Sequence, residues 1–166
     1  MTEPLTTLDP RYSEPDAVPT PWDVTSAALA AAELAWLVTL HSDGRPHATP
    51  VVPVWTEDSM HFTTGAAEQK AKNLRQDDRV LLQVGGLDWE RGLDIAVEGR
   101  ASLVNDPAVL ARLAAAWRTR WDGSWGFEVH DDRLHHRGFE VLTYAVRPQR
   151  VLAFAEGKFG HTQHRF

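Results

Sequence analysis

The chain has 166 residues, 43% of them apolar and 24% charged, the proportions of a globular domain long enough to bury a core. It has no cysteine, which excludes disulfides, thiolate metal sites and a cysteine nucleophile. Its net charge of −6 argues against nucleic-acid binding, which needs a basic face.

Residues 1–22 hold five of the ten prolines and read as an extended N-terminal arm. The same prolines interrupt any secretory-type apolar run, and no stretch approaches the roughly 20 apolar residues of a membrane span. A cytoplasmic protein without membrane contact is expected, with residues 23–166 forming one domain. Asp23 or Thr25 is placed to cap a short alanine-rich helix ending near residue 32. Trp36 to Leu40 reads as a buried strand, followed by a turn at Ser42-Asp43-Gly44-Arg45. One long strand is expected over 46–55, bulged or on an edge because Pro50 and Pro53 cannot donate to a ladder. A turn at 56–59 leads to a strand from Met60 to Thr64. Gly65 breaks that strand, and Ala67, Ala71 and Leu74 then recur at helical spacing. Strands follow at about 79–84 and 93–104, around a Gly85-Gly86 turn; in the second, Ile95, Val97, Gly99 and Ala101 share one face. Asn105-Asp106-Pro107 starts a longer helix with the apolar stripe Leu110, Leu113, Ala114, Trp117 and Trp121. A loop rich in charge and histidine then leads to a strand pair at about 139–146 and 150–155. Hairpins with inserted helices predict an α+β protein built on an antiparallel barrel.

The chemistry is concentrated between residues 44 and 75. A proline-bent strand and a strand ending in Thr63-Thr64 precede a glycine break and a helix start with two of the three lysines, Lys70 and Lys72. Free amides, ammonium groups and threonine hydroxyls together suit a phosphate group. The same spacing also suits a surface helix with solvated lysines.

Four segments carry a family resemblance: Asp43-Gly44-Arg45-Pro46-His47, Thr49-Pro50-Val51-Val52-Pro53-Val54-Trp55, Phe62-Thr63-Thr64-Gly65 and Gln69-Lys70-Ala71-Lys72-Asn73-Leu74. They resemble the pyridoxamine-phosphate-oxidase-like split β-barrels, and more narrowly their actinobacterial deazaflavin-dependent branch. The resemblance spans residues 33–104, and the ending Phe159 to Phe166 is similar to that of some members. It implies an FMN-binding split barrel with short flanking helices, a homodimer, and a cofactor at the subunit interface. In flavin-binding relatives an Arg-Lys pair grips the cofactor phosphate. The matching positions here are Gln69 and Lys70, which resembles the deazaflavin branch and points to coenzyme F420, with FMN as the alternative. The implied cofactor-binding residues are Thr49, Pro50, Val51 and Val52 along the ring, Thr63 and Thr64 beside it or its link to the phosphate, Gln69 and Lys70 at the phosphate, Lys72 as a cation for tail carboxylates, and Asn73 on the same helix. Arg75 is a further cation for tail carboxylates. The implied activity is hydride transfer to a planar conjugated small molecule. The cofactor supplies that chemistry, so no catalytic side chain is named.

Other signals are weaker. The eight histidines form no convincing metal set: His135 and His136 are adjacent, and His161 and His164 lack a carboxylate or cysteine nearby. A non-catalytic flavin or haem carrier is the rival reading, because some split barrels bind haem through histidine. His47 and His61 either face the cofactor or simply lie on strands. Trp55, Trp89 and Trp125 either line an aromatic substrate pocket or bury an interface. Pyridoxamine-phosphate oxidation itself is disfavoured, since an arginine-rich substrate signature near the C-terminus is missing.

Overall fold

The computed structural model describes residues 3–86, 90, 92–121 and 123–166. In chain order the elements are β1 (Leu5–Leu8), α1 (Trp22–Ala31), β2 (Ala35–Leu40), β3 (Pro46–Val51), β4 (Val54–Thr56), β5 (Ser59–Thr64) and α2 (Gln69–Leu74). Then come β6 (Arg79–Val84), β7 (Leu93–Leu103), α3 (Pro107–Arg120), β8 (Glu128–His130), β9 (Arg133–His136), β10 (Phe139–Ala155) and β11 (Gly160–Arg165). Every ladder between them is antiparallel. The fold is the antiparallel split barrel with flanking helices that the sequence predicts.

β10 is its spine. Along one flank β7 pairs with it from Tyr144 to Ala155. The other flank is shared: β5 takes Leu142–Val146 and β11 takes Arg150–Ala155. The division falls at Pro148 to Arg150, where the β7 ladder slips register. Gly99 faces this point; a Cβ on it would lie 2.5 Å from the Arg147 carbonyl oxygen. Glycine therefore permits the close crossing that lets one long strand serve both halves. The two strands expected at about 139–146 and 150–155 are a single strand that runs through Pro148. The residue only distorts the ladder, because its missing N–H falls at the irregularity.

The expected long strand over 46–55 is in fact two strands with different partners. β3 pairs with β2 at the edge of the sheet, whereas β4 pairs with β5. The Val52-Pro53 link is where the chain changes sheet position. β4 turns into β5 through Glu57 and Asp58, both left-handed at φ 51° and 58°, the twist a tight hairpin needs.

The barrel interior is filled by alternate residues of the strands, among them Leu37, Phe62, Leu82, Val97, Val146 and Val151, and is closed at one end by Trp22 and Leu29 of α1. Trp36 is not buried as expected: the β2 strand alternates, and Trp36 remains 49% exposed. A second core forms where the stripe Leu110, Leu113, Ala114 and Trp117 of α3 packs on Val54, Phe127 and Leu134. Asp106 caps α3 by accepting from the Ala108 and Val109 amides at 2.8 and 3.2 Å. α1 differs from expectation: its N-cap is Pro21, without a side-chain cap. Thr25 is instead buried within the helix and meets His164.

The charge- and histidine-rich loop contains the β8–β9 hairpin, and the C-terminal tail is β11. The sequence predicts a loop for the first and no element for the second, because polar side chains mask their alternation. In β11 the inward residues are Thr162 and His164, both fully buried. Thr162 Oγ1 accepts from the Thr20 amide at 2.9 Å. His164 bonds Thr6 through Nδ1 at 2.9 Å and Thr25 through Nε2 at 3.0 Å. Through these contacts and the β1–β11 ladder, residues 5–8 of the arm join the sheet.

Candidate functional site

A cavity of about 410 Å³ opens where β3, β5 and the β8–β9 hairpin converge. Pro50, Val51 and Val52 form one wall and Thr63 and Thr64 another; Gly65, Glu68 and Lys70 close one end. A further part of the lining is aromatic, built from Trp125, Phe127 and His136 beside Val141. The wall at Val52 is braced from behind, since Trp117 of α3 donates its indole N–H to the Val52 carbonyl at 3.2 Å.

The polar end is organised around one carboxylate. Glu68 Oε1 accepts from the Gly65 amide at 2.6 Å, and Oε2 pairs with the Lys70 ammonium. Burial alone would raise the Glu68 carboxyl, but the Lys70, Gly65 and Thr64 hydrogen bonds outweigh it and hold it below its usual value. Lys70 itself is buried at 8% exposure. Charged lysine is seldom buried without a partner, and here the partner is Glu68. A Cβ on Gly65 would stand 3.1 Å from Glu68 Oε1, so a side chain there would press on the carboxylate.

The aromatic part of the lining is equally well defined. His136 donates from Nδ1 to the Gly126 carbonyl at 2.9 Å; a carbonyl can only accept, so the ring proton sits on Nδ1. The Trp125 ring stacks on His136, with centroids 5.3 Å apart and planes within 15°, and Phe127 tilts against it at 5.2 Å.

Of the ten cofactor-binding residues anticipated, Pro50, Val51, Val52, Thr63, Thr64 and Lys70 line this cavity. Thr49 lies half-buried on β3 and outside the lining. Gln69 and Lys72 are exposed on α2, away from it. Asn73 is buried and structural: it donates to Thr39 Oγ1 at 2.8 Å and accepts from Gln69 at 2.7 Å, pinning α2 to β2. Arg75 is bound to the Ala66 carbonyl at 3.2 Å. Neither His47 nor His61 reaches the cavity. His47 sits 5.4 Å from the His41 ring; burial, then the neighbouring charges of His41, Lys70 and Arg45, push its pKa down. His61 lies buried on β5, opposite Val54 and Ala145, and burial likewise lowers its pKa. Trp55 packs against the barrel core, Trp125 reaches the cavity, and Trp89 lies outside the described residues. Among the described residues no cluster of three metal-ligating side chains occurs and no helix is long and apolar enough to cross a membrane.

Sequence reasoning missed Leu34, Glu68, Phe127, His136 and Val141. The first is an isolated leucine before a strand, and the last three depend on a hairpin that polar residues concealed. Glu68 was legible in principle, three residues after a strand-ending glycine and two before a lysine.

The family model described as pyridoxamine 5'-phosphate oxidase matches residues 22–151. No curated protein matches the chain significantly. Among solved structures, a conserved hypothetical protein of Mycobacterium tuberculosis is 21% identical, with a TM-score of 0.69 over 86% of this chain and 89% of that one. A structure described as the FAD binding protein of Mycobacterium smegmatis is 20% identical, with a TM-score of 0.59 over 89% and 98%. One described as a heme binding protein of the same organism is 18% identical, with a TM-score of 0.66 over 87% and 59%. At these identities the likeness is one of fold.

Proposed function

This chain belongs to the pyridoxamine 5'-phosphate oxidase family, and on that premise we propose that it is an oxidoreductase that uses a phosphate-bearing flavin-type cofactor to reduce a planar conjugated small molecule. The observation that carries this reading is the donor set at the polar end of the cavity. The Gly65 amide and the Lys70 ammonium converge on a carboxylate, which is the arrangement an anionic group of a ligand requires. The apolar walls at Pro50–Val52 and the aromatic lining suit a flat conjugated ring.

In this reading Lys70 and the Gly65 amide hold the phosphate. Thr63 and Thr64 hydrogen-bond the ring or its side chain, and Pro50–Val52 support the ring and exclude water. The cofactor supplies the hydride transfer. The family's arginine is replaced by Gln69, which is exposed, so the phosphate is held by fewer charges. That favours coenzyme F420 over FMN. A homodimer follows the same logic: Leu34, which lines the cavity, and Trp36, which pairs with Pro50 of its wall, are 51% and 49% exposed, and a second copy would cover them and complete the cofactor groove. Sedimentation analysis tests the dimer.

The decisive experiment is a fluorescence titration of the apo-protein with F420 and FMN separately. Micromolar binding of F420 with FMN bound at least tenfold more weakly supports the deazaflavin reading. FMN alone moves the protein to the flavin branch of the fold, a reading favoured by the likeness to the FAD binding protein. Binding of neither, with a Soret band on adding haem, would replace both readings by a haem carrier.

A further inference from the structure

The donors that suit a phosphate are already engaged by the chain's own Glu68. One oxygen of its carboxylate takes the Gly65 amide and the other the Lys70 ammonium. The Glu68 side chain is 50% exposed while that of Lys70 is 10% exposed. The ammonium is therefore fixed, and the carboxylate is the member free to swing into solvent. Glu68 is also tied only locally: its amide donates to the Gly65 carbonyl at 3.0 Å, closing a tight turn. No other cation among the described residues pairs with it.

We propose that Glu68 is a built-in competitor for ligand phosphate, which must displace its carboxylate to reach Lys70 and the Gly65 amide. This rests on the phosphate-cradle reading above and gives the site a selectivity. A terminal phosphate monoester carries close to two negative charges at neutral pH, and it meets both the displacement cost and repulsion from the displaced carboxylate. A ligand with less charge at this position meets less of each. The protein therefore discriminates against phosphate monoesters, and Glu68 sets the degree.

The test compares FMN with riboflavin, which differ by the phosphate monoester alone, on the apo-protein in a phosphate-free buffer near pH 8. Two variants are needed. Glu68→Ala removes the competitor entirely; Glu68→Gln removes its charge and keeps an oxygen able to accept from the Gly65 amide, which guards against a local folding defect. Fluorescence quenching gives both dissociation constants. FMN affinity is expected to rise at least tenfold in both variants, with riboflavin affinity within twofold of the unaltered protein. FMN affinity that is unchanged or lower in both variants overturns the proposal. Failure of the underlying cradle looks different: adding Lys70→Met to Glu68→Gln would then leave FMN affinity as it was, and both readings would fall together.

Discussion

Replacing Lys70 by methionine tests the site most directly. The Lys70 side chain is 10% exposed and its one ion-pair partner among the described residues is Glu68, itself half-exposed. A hydrogen bond to a charged group contributes roughly 1.5–3 kcal/mol. Binding phosphate exchanges the Glu68 contact for a ligand contact, so the net contribution to affinity falls at the low end. Solvent around Glu68 reduces it further. About 1.4 kcal/mol remains, equivalent to a tenfold weaker FMN complex. Riboflavin binding is expected to stay within twofold, because the ring walls at Pro50–Val52 and Thr63 are untouched. Stability should change little, since methionine fills the stem's volume and the Glu68 carboxylate left without its partner is half-exposed and can be solvated. The assay is the paired fluorescence titration, with a thermal melt to confirm folding. A folded Lys70→Met protein with undiminished FMN affinity would refute the phosphate assignment.

Three further predictions concern the scaffold. Trp117 is fully buried and holds the Val52 carbonyl; Trp117→Ala is expected to cost about 3–5 kcal/mol, and Trp117→Phe, which leaves that carbonyl unpaired, about 1–3 kcal/mol. Urea unfolding measures both, and an unaltered midpoint for Trp117→Phe would show that the brace carries no weight. Gly99→Ala forces a Cβ against the Arg147 carbonyl and should lose about 1–3 kcal/mol, seen as a Tm lower by several degrees; an unchanged Tm would mean the crossing relaxes freely. Burial holds His164 below the ordinary histidine value of about 6.5, so the unfolded chain takes up this proton before the folded one does. Stability is therefore full above about pH 6.5 and declines as pH falls toward the folded value. His61, also lowered by burial, adds to the slope. Unfolding midpoints between pH 8 and 5 should show it, and His164→Gln should flatten it; an equal slope in that variant would exclude His164 as a source.

Much of this protein was legible from local pattern. Regular alternation located β6 and β7, Asp106-Pro107 located the start of α3, and Gly65 located the end of β5. These features depend on neighbours within a few residues. Strands whose inward positions are polar were not legible. Thr162 and His164 point inward on β11 because Thr20, Thr25 and Thr6 satisfy them from distant segments, and no window of sequence contains that pairing.

The site divides in the same way. The strand, glycine and lysine segment from Thr63 to Lys70 is contiguous, so its composition alone marked an anion-binding end. The cavity's aromatic lining required tertiary structure, because Trp125, Phe127 and His136 lie more than 50 residues beyond Lys70 and reach it through the β8–β9 hairpin pairing with β10. The tertiary structure also decided which polar residues are free for a ligand. Asn73 is committed to Thr39, Lys72 points to solvent, and Lys70 is turned inward against Glu68. Side-chain chemistry was readable from the chain, whereas burial and partnership, which determine what that chemistry can do, arise only when the barrel closes.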